Sequence, residues 1–225
     1  VFKNTIIFTL ACLAIQFTIG FLFAMFFSKK FTLAGPVRGL ILVGYMMPMS
    51  VTALLGKNIF LLDGGVINDL LMKLHLVSQP VDWLVSGGTA LAAVIAVNCW
   101  VGIPFNMLLL TSGLTGISDD IYESASIDGA NRFQRFLYIT LPLMKPAMLS
   151  VLMLGFIYTF KAFDLMYIMT SGGPYNSTDV LGTYAYSKAF TQYEFSQGSA
   201  IAMVLFVCLF LVGLFYLKLL SKEDD

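Results

Sequence analysis

The sequence predicts an all-α integral membrane protein, and three observations support this fold class. First, 58% of the 225 residues are hydrophobic and only 12% are charged, whereas soluble domains average about half apolar and about a quarter charged residues. Second, the apolar residues form five runs near the roughly 20 residues that a membrane-spanning helix needs. Third, the sequence lacks the ten-residue alternating segments of a membrane β-barrel. Helices that satisfy their own backbone hydrogen bonds are therefore expected.

Five membrane-spanning helices are predicted in order along the chain. They cover residues 5–27, 39–62, 86–112, 141–165 and 197–219. Pro48 lies inside the second run and Pro104 inside the third. Because proline has no N–H group to donate, we expect kinks in both helices. Such kinks are either tolerated irregularities or parts of a transport pathway.

The distribution of Lys and Arg predicts the orientation of these helices, because cytoplasmic loops carry an excess of both residues. Eight fall on one side of the predicted topology: Lys29, Lys30, Arg38, Arg132, Arg135, Lys145, Lys218 and Lys222. The opposite side carries only Lys3, Lys73 and Lys188, and two more lysines lie near helix ends. Residues 118–138 and the carboxyl tail are therefore predicted to be cytoplasmic. The amphipathic stretch 64–77 and the loop 170–198 are predicted to lie outside.

Composition and motifs disfavour several classes of function. The net charge is zero and no Lys- or Arg-rich block occurs, so nucleic acid is not indicated as a partner. The three cysteines and the single histidine are too dispersed for a metal or redox motif. No Ser, His and Asp set suggests an intramembrane hydrolase. A carrier driven by protons or sodium would need mid-depth carboxylates, and the predicted spans contain none away from their ends.

A polar segment, residues 118–138, separates the third and fourth predicted spans. Ser118 is a suitable N-cap for a short helix that begins with two aspartates. Asp128 and Gly129 then allow a turn, and a second short helix follows before the next span opens. The segment is therefore predicted to be a helix, a bend and another helix beneath the membrane.

The charge of this segment indicates what it contacts. It carries four carboxylates and two arginines, whereas a helix that lies on anionic lipid has a Lys- and Arg-rich polar face. Glu123 is followed by the small residues Ser124 and Ala125, and small side chains let another protein approach the backbone closely. We therefore expect a protein partner to dock here, and a helix that only lies on lipid headgroups is the alternative.

Two helix faces at predicted mid-depth are candidates for a solute pathway. The face on the third span consists of Asn98, Val101, Gly102 and Phe105, and the face on the fourth consists of Gly155, Tyr158, Thr159 and Ala162. A buried amide needs a partner, so Asn98 is either a hydrogen bond between helices or a group of the pathway. The second face offers a ring, a hydroxyl and small residues, which suits a sugar better than an ion. Core packing is the alternative for both faces.

The placement of charges favours a neutral solute. All three arginines are predicted at the cytoplasmic edge, so no guanidinium at mid-depth is available for a phosphate or carboxylate. Lys161 and Asp164, three residues apart near the predicted outer interface, are expected to pair with each other. A neutral mono- or oligosaccharide is therefore favoured over an anionic solute such as glycerol phosphate.

Several motifs resemble one family of membrane proteins. The pattern consists of Glu123, Ala125, Gly129, Ile139, Leu141 and Pro142, extended as "SIDGANRFQRFLYITLPLMKP" and accompanied by "TSGGP", "TYAYSKAF" and "QGSAIA". It is similar to permease subunits of binding-protein-dependent ABC importers, in the carbohydrate-uptake branch of maltose, lactose and glycerol phosphate permeases. Ser124 stands where this family usually has alanine. The opening residues resemble the second spanning helix of the branch, so we expect a further helix upstream.

The resemblance implies a single domain over residues 1–225 with the fold of a type I ABC importer permease core, in a bacterial or archaeal plasma membrane. It implies coupling to a cytoplasmic ATPase dimer through Glu123, Ser124, Ala125, Asp128, Gly129, Ile139, Leu141 and Pro142. It also implies a second homologous permease and an extracellular or periplasmic sugar-binding protein. In related permeases the sugar lies between the third and fourth helices named above.

The same resemblance implies that the chain is not itself an enzyme. No GxxxxGK[ST] phosphate loop occurs in the sequence, so ATP and Mg²⁺ would be bound by the partner ATPase, and no cofactor or metal is expected in this chain. The predicted function is a subunit of an ATP-driven sugar importer that forms half of the translocation pathway. A permease for another solute such as glycerol phosphate is the alternative, and an ion-coupled secondary transporter is a less favoured one.

Overall fold

Helices account for nearly all regular structure in the described part of the chain. The computed structural model describes residues 1–28 and 33–221, and no strand occurs in these residues. The α-helices are α1 (Phe2–Phe27), α2 (Ala34–Met46), α3 (Met49–Ile59), α4 (Val66–Lys73), α5 (Gly87–Thr115), α6 (Asp119–Ile127), α7 (Arg132–Arg135), α8 (Leu141–Phe160), α9 (Asp164–Thr170), α10 (Leu181–Tyr186) and α11 (Phe195–Ser221). The predicted all-α class is confirmed. Lys29, Lys30 and Lys222, which contributed to the predicted orientation, lie outside the described residues.

Among the described residues, four helices are long and apolar enough to cross a membrane: α1, α5, α11 and a continuous helix from Arg132 to Phe160. The last of these contains α7, a π-helical segment at Phe136–Thr140, and α8. A fifth candidate span consists of α2 and α3 together, which are bent by 95° relative to each other. The number of predicted spans is therefore confirmed if the bent pair is counted as one.

The prediction of one helix over residues 39–62 is wrong, because the chain breaks at Met47 and Pro48. Both residues have extended backbone, with ψ of 137°. Proline cannot donate a helical hydrogen bond, and its ring disfavours the helical conformation of the residue before it. The predicted kink at Pro48 is confirmed. Pro104 lies inside α5 without interrupting it.

The predicted limits of the fourth span are also wrong. The helix begins at Arg132 rather than near residue 141, because the π-helical segment joins α7 to α8 without a break. It ends at Phe160 rather than at residue 165. The following helix, α9, instead packs against α3 and buries Leu165, Met166 and Met169.

Glycines allow α1 and α3 to approach α5 closely. A Cβ added at Gly20 of α1 would lie 2.6 Å from Asn106 Cβ, and one added at Gly56 of α3 would lie 2.6 Å from Val97 Cγ2. Distances this short do not occur between real side chains, so larger residues would separate the helices. Because lipid is as apolar as a leucine side chain, helices in membranes associate through such close packing.

The amino-terminal end of α1 is fastened to the loop before α10. Asn4 Nδ2 donates to the carbonyl oxygens of Asn176 and Asp179, at 2.9 and 3.2 Å. The backbone N–H of Leu181 donates to Thr5 Oγ1 at 3.0 Å. The start of α1 and the loop 171–180 thus lie at the same end of the bundle, as the predicted topology requires.

A salt bridge lies within the segment that connects α10 to α11. Lys188 Nζ lies 2.9 Å from Glu194 Oε2. The hydrogen bond to this carboxylate raises the pKa of the Lys188 ammonium above its usual value.

Candidate functional site

A cavity of about 300 Å³ lies where α1, α5 and α8 meet the break between α2 and α3. It is lined by Gln16, Tyr45, Met49, Asn98, Val101, Gly102, Phe105, Gly155, Tyr158 and Thr159. None of these side chains is charged at neutral pH. The lining consists of two amides, the hydroxyl groups of one threonine and two tyrosines, three aromatic rings and small or apolar residues. Such a surface can bind an uncharged polar molecule.

Seven of the eight residues predicted for a solute pathway line this cavity. They are Asn98, Val101, Gly102, Phe105, Gly155, Tyr158 and Thr159. Ala162 is not among the lining residues, because α8 ends at Phe160 and Ala162 packs instead against the apolar core that contains Leu165. The structure thus brings the two predicted faces together, and their contact with a solute stays a prediction.

One wall of the cavity is polar. Gln16 of α1 is almost fully buried, and its Nε2 donates to the backbone carbonyl oxygen of Asn98 at 3.2 Å. Gly102 lies against the same glutamine, and a Cβ there would overlap the Gln16 amide group. Because Gly102 has no side chain, the Gln16 amide has room to lie beside Asn98.

Another part of the lining is aromatic. The rings of Tyr45 and Phe105 are stacked, with centroids 5.6 Å apart, and the Tyr158 ring meets Phe105 edge-on at 5.7 Å. Tyr158 is more than half exposed, so much of its side chain is uncovered by the chain itself. Exposed aromatic faces of this kind are suited to stacking against the C–H groups of a ligand.

Lys161 does not make the ion pair that the sequence predicted. In the described part of the chain no ion pair joins Lys161 to Asp164, since α8 ends at Phe160 and α9 begins anew at Asp164. Lys161 Nζ instead lies 5.2 Å from the centroid of the Tyr158 ring. The ammonium group is thereby held next to an aromatic residue of the cavity.

Three lining residues were not predicted from the sequence: Gln16, Tyr45 and Met49. Gln16 carried a usable signal, because an amide in the middle of an apolar run is costly without a partner. No sequence pattern indicated Tyr45 or Met49. They flank the break at Pro48 and line the cavity because α2 and α3 are bent relative to each other.

The polar segment 118–138 has well-defined helix ends. Ser118 Oγ accepts a hydrogen bond from the backbone N–H of Asp120, as predicted for an N-cap. At the other end of α6 the N–H of Ala130 donates to Ala125 O and the N–H of Gly129 to Ser126 O. This is a Schellman motif, and Gly129 supplies its positive φ of 81°.

The second helix of the segment is capped and fastened to the first. Asn131 and Gln134 form a reciprocal capping box at the start of α7. Arg135 Nη1 donates to Ser126 Oγ at 2.6 Å, and the hydroxyl groups of Tyr122 and Thr140 are 3.0 Å apart. These contacts hold α6 against the base of the long helix Arg132–Phe160.

Several residues predicted to couple to an ATPase are accessible on the surface of the protein. Glu123, Ser124, Asp128, Gly129 and Pro142 are exposed, while Ala125, Ile139 and Leu141 are half-buried. Three large apolar side chains, Ile127, Phe133 and Tyr138, are also strongly exposed. Carboxylates next to exposed apolar side chains form a surface that is more typical of a protein interface than of free solvent contact.

Comparison with solved structures supports the fold. The chain is similar to a permease chain in a crystal structure of a bacterial ABC transporter involved in the import of the acidic polysaccharide alginate. The TM-score is 0.89 and the sequence identity 21%, with 99% of this chain and 78% of that chain covered. The type I importer permease fold implied by the sequence motifs is confirmed.

Comparison with protein families and curated sequences supports the same relationship. The chain is 32% identical to the sulfoquinovosyl glycerol transport system permease protein SmoG of Agrobacterium fabrum, over 98% of this chain and 71% of that protein. It is also 32% identical to the trehalose/maltose transport system permease protein MalF of Thermococcus litoralis, over 95% and 72%. The model of the family "binding-protein-dependent transport system inner membrane component" matches residues 16–222. The chain therefore belongs to this family of inner membrane components of binding-protein-dependent transport systems.

Proposed function

We propose that this chain is a permease subunit of an ATP-driven importer of a neutral mono- or oligosaccharide and forms half of its translocation pathway. The observation that carries the proposal is the uncharged cavity between α1, α5 and α8, which is lined by both amides and aromatic rings. Amides donate and accept hydrogen bonds with sugar hydroxyl groups, and aromatic rings stack on sugar C–H groups. An ion would find no charged partner in this lining.

The relatives support a sugar as cargo. The printed names of two of them refer to sulfoquinovosyl glycerol and to trehalose and maltose, and a solved relative belongs to an alginate importer. Alginate is described there as an acidic polysaccharide. Lys161, held over the Tyr158 ring, is the observation that favours a second candidate, a sugar with an anionic group. The anion would be attracted to an ammonium beside the cavity.

The energy for transport comes, in this proposal, from a cytoplasmic ATPase dimer that binds segment 118–138. The sequence has no phosphate loop of its own, so ATP and Mg²⁺ would bind to the partner. Glu123 is exposed on the first helix of the segment and would form a salt bridge with a basic residue of the ATPase. Family membership and the exposed apolar side chains of the segment support this assignment.

The long helix Arg132–Phe160 connects this docking surface with the cavity. Its 29 residues form one uninterrupted element, which at about 1.5 Å per residue is long enough to cross the membrane. Gly155, Tyr158 and Thr159 lie near its far end and line the cavity. A displacement of the docking segment would therefore shift the cavity wall. Alternating access by rocking of such elements is common among transporters.

Two further partners complete the proposed complex. Tyr158 lines the cavity and is more than half exposed, so a second homologous permease would supply the remaining wall of the pathway. A sugar-binding protein would deliver the cargo to the outer end of the bundle, where the loop 171–180 lies. The family name itself refers to transport that depends on a binding protein.

Uptake into proteoliposomes tests the proposal. The complete transporter would be reconstituted with its binding protein and ATP, and labelled neutral and acidic sugars would be supplied in parallel. We expect ATP-dependent uptake of a neutral sugar that stops when the phosphate-loop lysine of the partner ATPase is replaced. An ion-driven carrier would continue to work with this inactive ATPase, and that result would refute the proposal.

Two variants of this chain sharpen the experiment. Lys161→Met should leave uptake of a neutral sugar unchanged, whereas a large loss confined to acidic sugars would establish the second candidate. Glu123→Lys should abolish uptake by reversing the charge at the ATPase interface, while Asp63→Lys, an exposed carboxylate after α3, serves as the matched control. Equal uptake by both charge-reversal variants would exclude the salt bridge at Glu123.

A further inference from the structure

The short helix α4, between the second and third spans, exposes an apolar face. Val66, Leu70 and Leu74 are 62%, 51% and 58% exposed. They follow each other at intervals of four residues, so they lie within about 80° of one another around the helix. Asp69 and Lys73 are exposed on one flank of this face. The surface therefore has the apolar stripe and charged border of an amphipathic helix.

The other side of α4 is fully occupied by the chain itself. Asn68 is 1% exposed, and its Nδ2 donates to the carbonyl oxygens of Leu61, Leu62 and Val81 at 2.9 to 3.2 Å. Its Oδ1 accepts from the backbone N–H of Val81 and from Trp83 Nε1. The apolar stripe is thus the face of α4 that the rest of the protein leaves uncovered.

These hydrogen bonds also fix α4 relative to the two spans between which it lies in the sequence. Leu61 and Leu62 directly follow the end of α3, and Val81 and Trp83 shortly precede α5. The ring of Trp83 meets Phe60, at the end of α3, edge-on at 5.7 Å. Because α4 is bonded to the segments that follow α3 and precede α5, it is held close to the ends of two candidate membrane spans.

The apolar surface continues from α4 onto α3. Val51, Leu54 and Leu55 of α3 are exposed on the surface of a candidate span, where they face lipid or a neighbouring membrane subunit. Ile59, Leu61 and Leu62 carry this exposed apolar surface up to the start of α4. The stripe on α4 is therefore an extension of the membrane-facing surface of the protein.

We propose that α4 is an interfacial helix that inserts Val66, Leu70 and Leu74 into the outer leaflet of the bilayer. Amphipathic helices of this kind lie in the membrane plane with their apolar face about 5–10 Å below the headgroups. The charged border of Asp69 and Lys73 stays at the aqueous side. The bound lipid would fix the outer ends of α3 and α5, to which Asn68 ties the helix, while the rest of the bundle moves.

Spin labels at neighbouring positions of α4 test this inference. The complete transporter would carry a nitroxide at Leu70→Cys, at Leu74→Cys or, as the matched control, at Asp69→Cys, in vesicles of phosphatidylethanolamine and phosphatidylglycerol. Protein without an introduced cysteine corrects for labelling of Cys12, Cys99 and Cys208. Oxygen, which dissolves in lipid, and a water-soluble nickel chelate would serve as collision partners. We expect oxygen to dominate at positions 70 and 74 and the nickel chelate at position 69.

Two outcomes would overturn the inference. Equal access of the nickel chelate to positions 69 and 70 would place the whole helix in water. Nickel access at positions 70 and 74 that disappears only on addition of the binding protein would show that this protein, not lipid, covers the stripe. Neither readout requires transport, so the result is independent of which solute the complex carries.

Discussion

The side chain of Gln16 lies directly over Gly102, and its Nε2 donates to the Asn98 carbonyl oxygen at 3.2 Å. A Cβ at position 102 would occupy the space of the Gln16 amide. Helices α1 and α5 therefore meet at the cavity wall through a position at which any side chain would displace the Gln16 amide. Because Gln16 also lines the cavity, packing between the helices and the shape of the proposed sugar site depend on the same contact.

Gly102→Ala should impair transport without removing the protein from the membrane. The added methyl group must displace Gln16, which breaks its hydrogen bond to Asn98, and overpacking of this kind costs about 1–3 kcal/mol. Gly88→Ala, in the first turn of the same helix, is the matched control, because a Cβ there meets nothing within 4 Å. The initial rate of sugar uptake per amount of membrane-inserted protein should fall for Gly102→Ala alone. Equal rates in both variants would contradict the close contact.

Tyr158→Ala should weaken the apparent affinity for the sugar, whereas Tyr158→Phe should not. The ring, which meets Phe105 edge-on and belongs to a side chain that is more than half exposed, is the part proposed to stack on the cargo. Aromatic contacts contribute about 0.5–1.5 kcal/mol beyond area burial, which corresponds to a KM raised about 2- to 12-fold. The KM for uptake, measured with saturating binding protein and ATP, distinguishes the variants. A similar KM in the natural protein, Tyr158→Ala and Tyr158→Phe would show that the Tyr158 ring does not contact the sugar.

Helical periodicity explains why much of the cavity could be predicted from the sequence. Asn98 and Gly102 lie one turn apart on α5, and Gly155 and Thr159 lie one turn apart on α8, so each pair shares a face whatever the tertiary structure. Asn98 and Gly102 lie in the middle of α5, whereas Gly155 and Thr159 lie in the last turns of the long helix that ends at Phe160. Their meeting in one cavity required only that the two helices be neighbours.

The remaining lining residues depend on geometry that the sequence does not encode locally. The apolar run 39–62 is continuous in hydropathy. The hydropathy pattern therefore does not indicate the 95° bend that brings Tyr45 to the cavity. Pro48 predicts a break but not its direction. The network around Asn68 likewise joins residues 61 to 83 through a loop whose path no periodic pattern specifies.

Gly129→Val should disrupt binding of the ATPase, and Gly129→Asn should largely preserve it. The left-handed conformation at position 129, with φ of 81°, ends α6 and sets the angle between the two helices of segment 118–138. An L-residue in this conformation costs about 1–2 kcal/mol, and asparagine tolerates it better than a β-branched residue. The amount of ATPase retained by the affinity-tagged permease measures the effect. Equal retention by both variants would mean that the turn does not shape the docking surface.

Asn68→Ala should loosen the outer loop, because one amide side chain holds five backbone and side-chain groups together. Its removal leaves the Val81 N–H and the Trp83 indole N–H without their acceptor, and each buried group left unpaired costs about 1–3 kcal/mol. Asn58→Ala is the matched control, because that exposed asparagine donates only to the Leu54 carbonyl oxygen of its own helix.

Hydrogen exchange of the assembled transporter distinguishes the two asparagine variants. We expect faster exchange at the backbone amides of residues 61–83 in Asn68→Ala, and exchange unchanged from the natural protein in Asn58→Ala. If α4 is also held by lipid, as inferred above, the loop in Asn68→Ala should exchange faster in detergent than in vesicles. Equal exchange of Asn68→Ala in detergent and in vesicles would show that the bilayer adds no constraint to the loop. The stability of the loop would then come from the asparagine network alone.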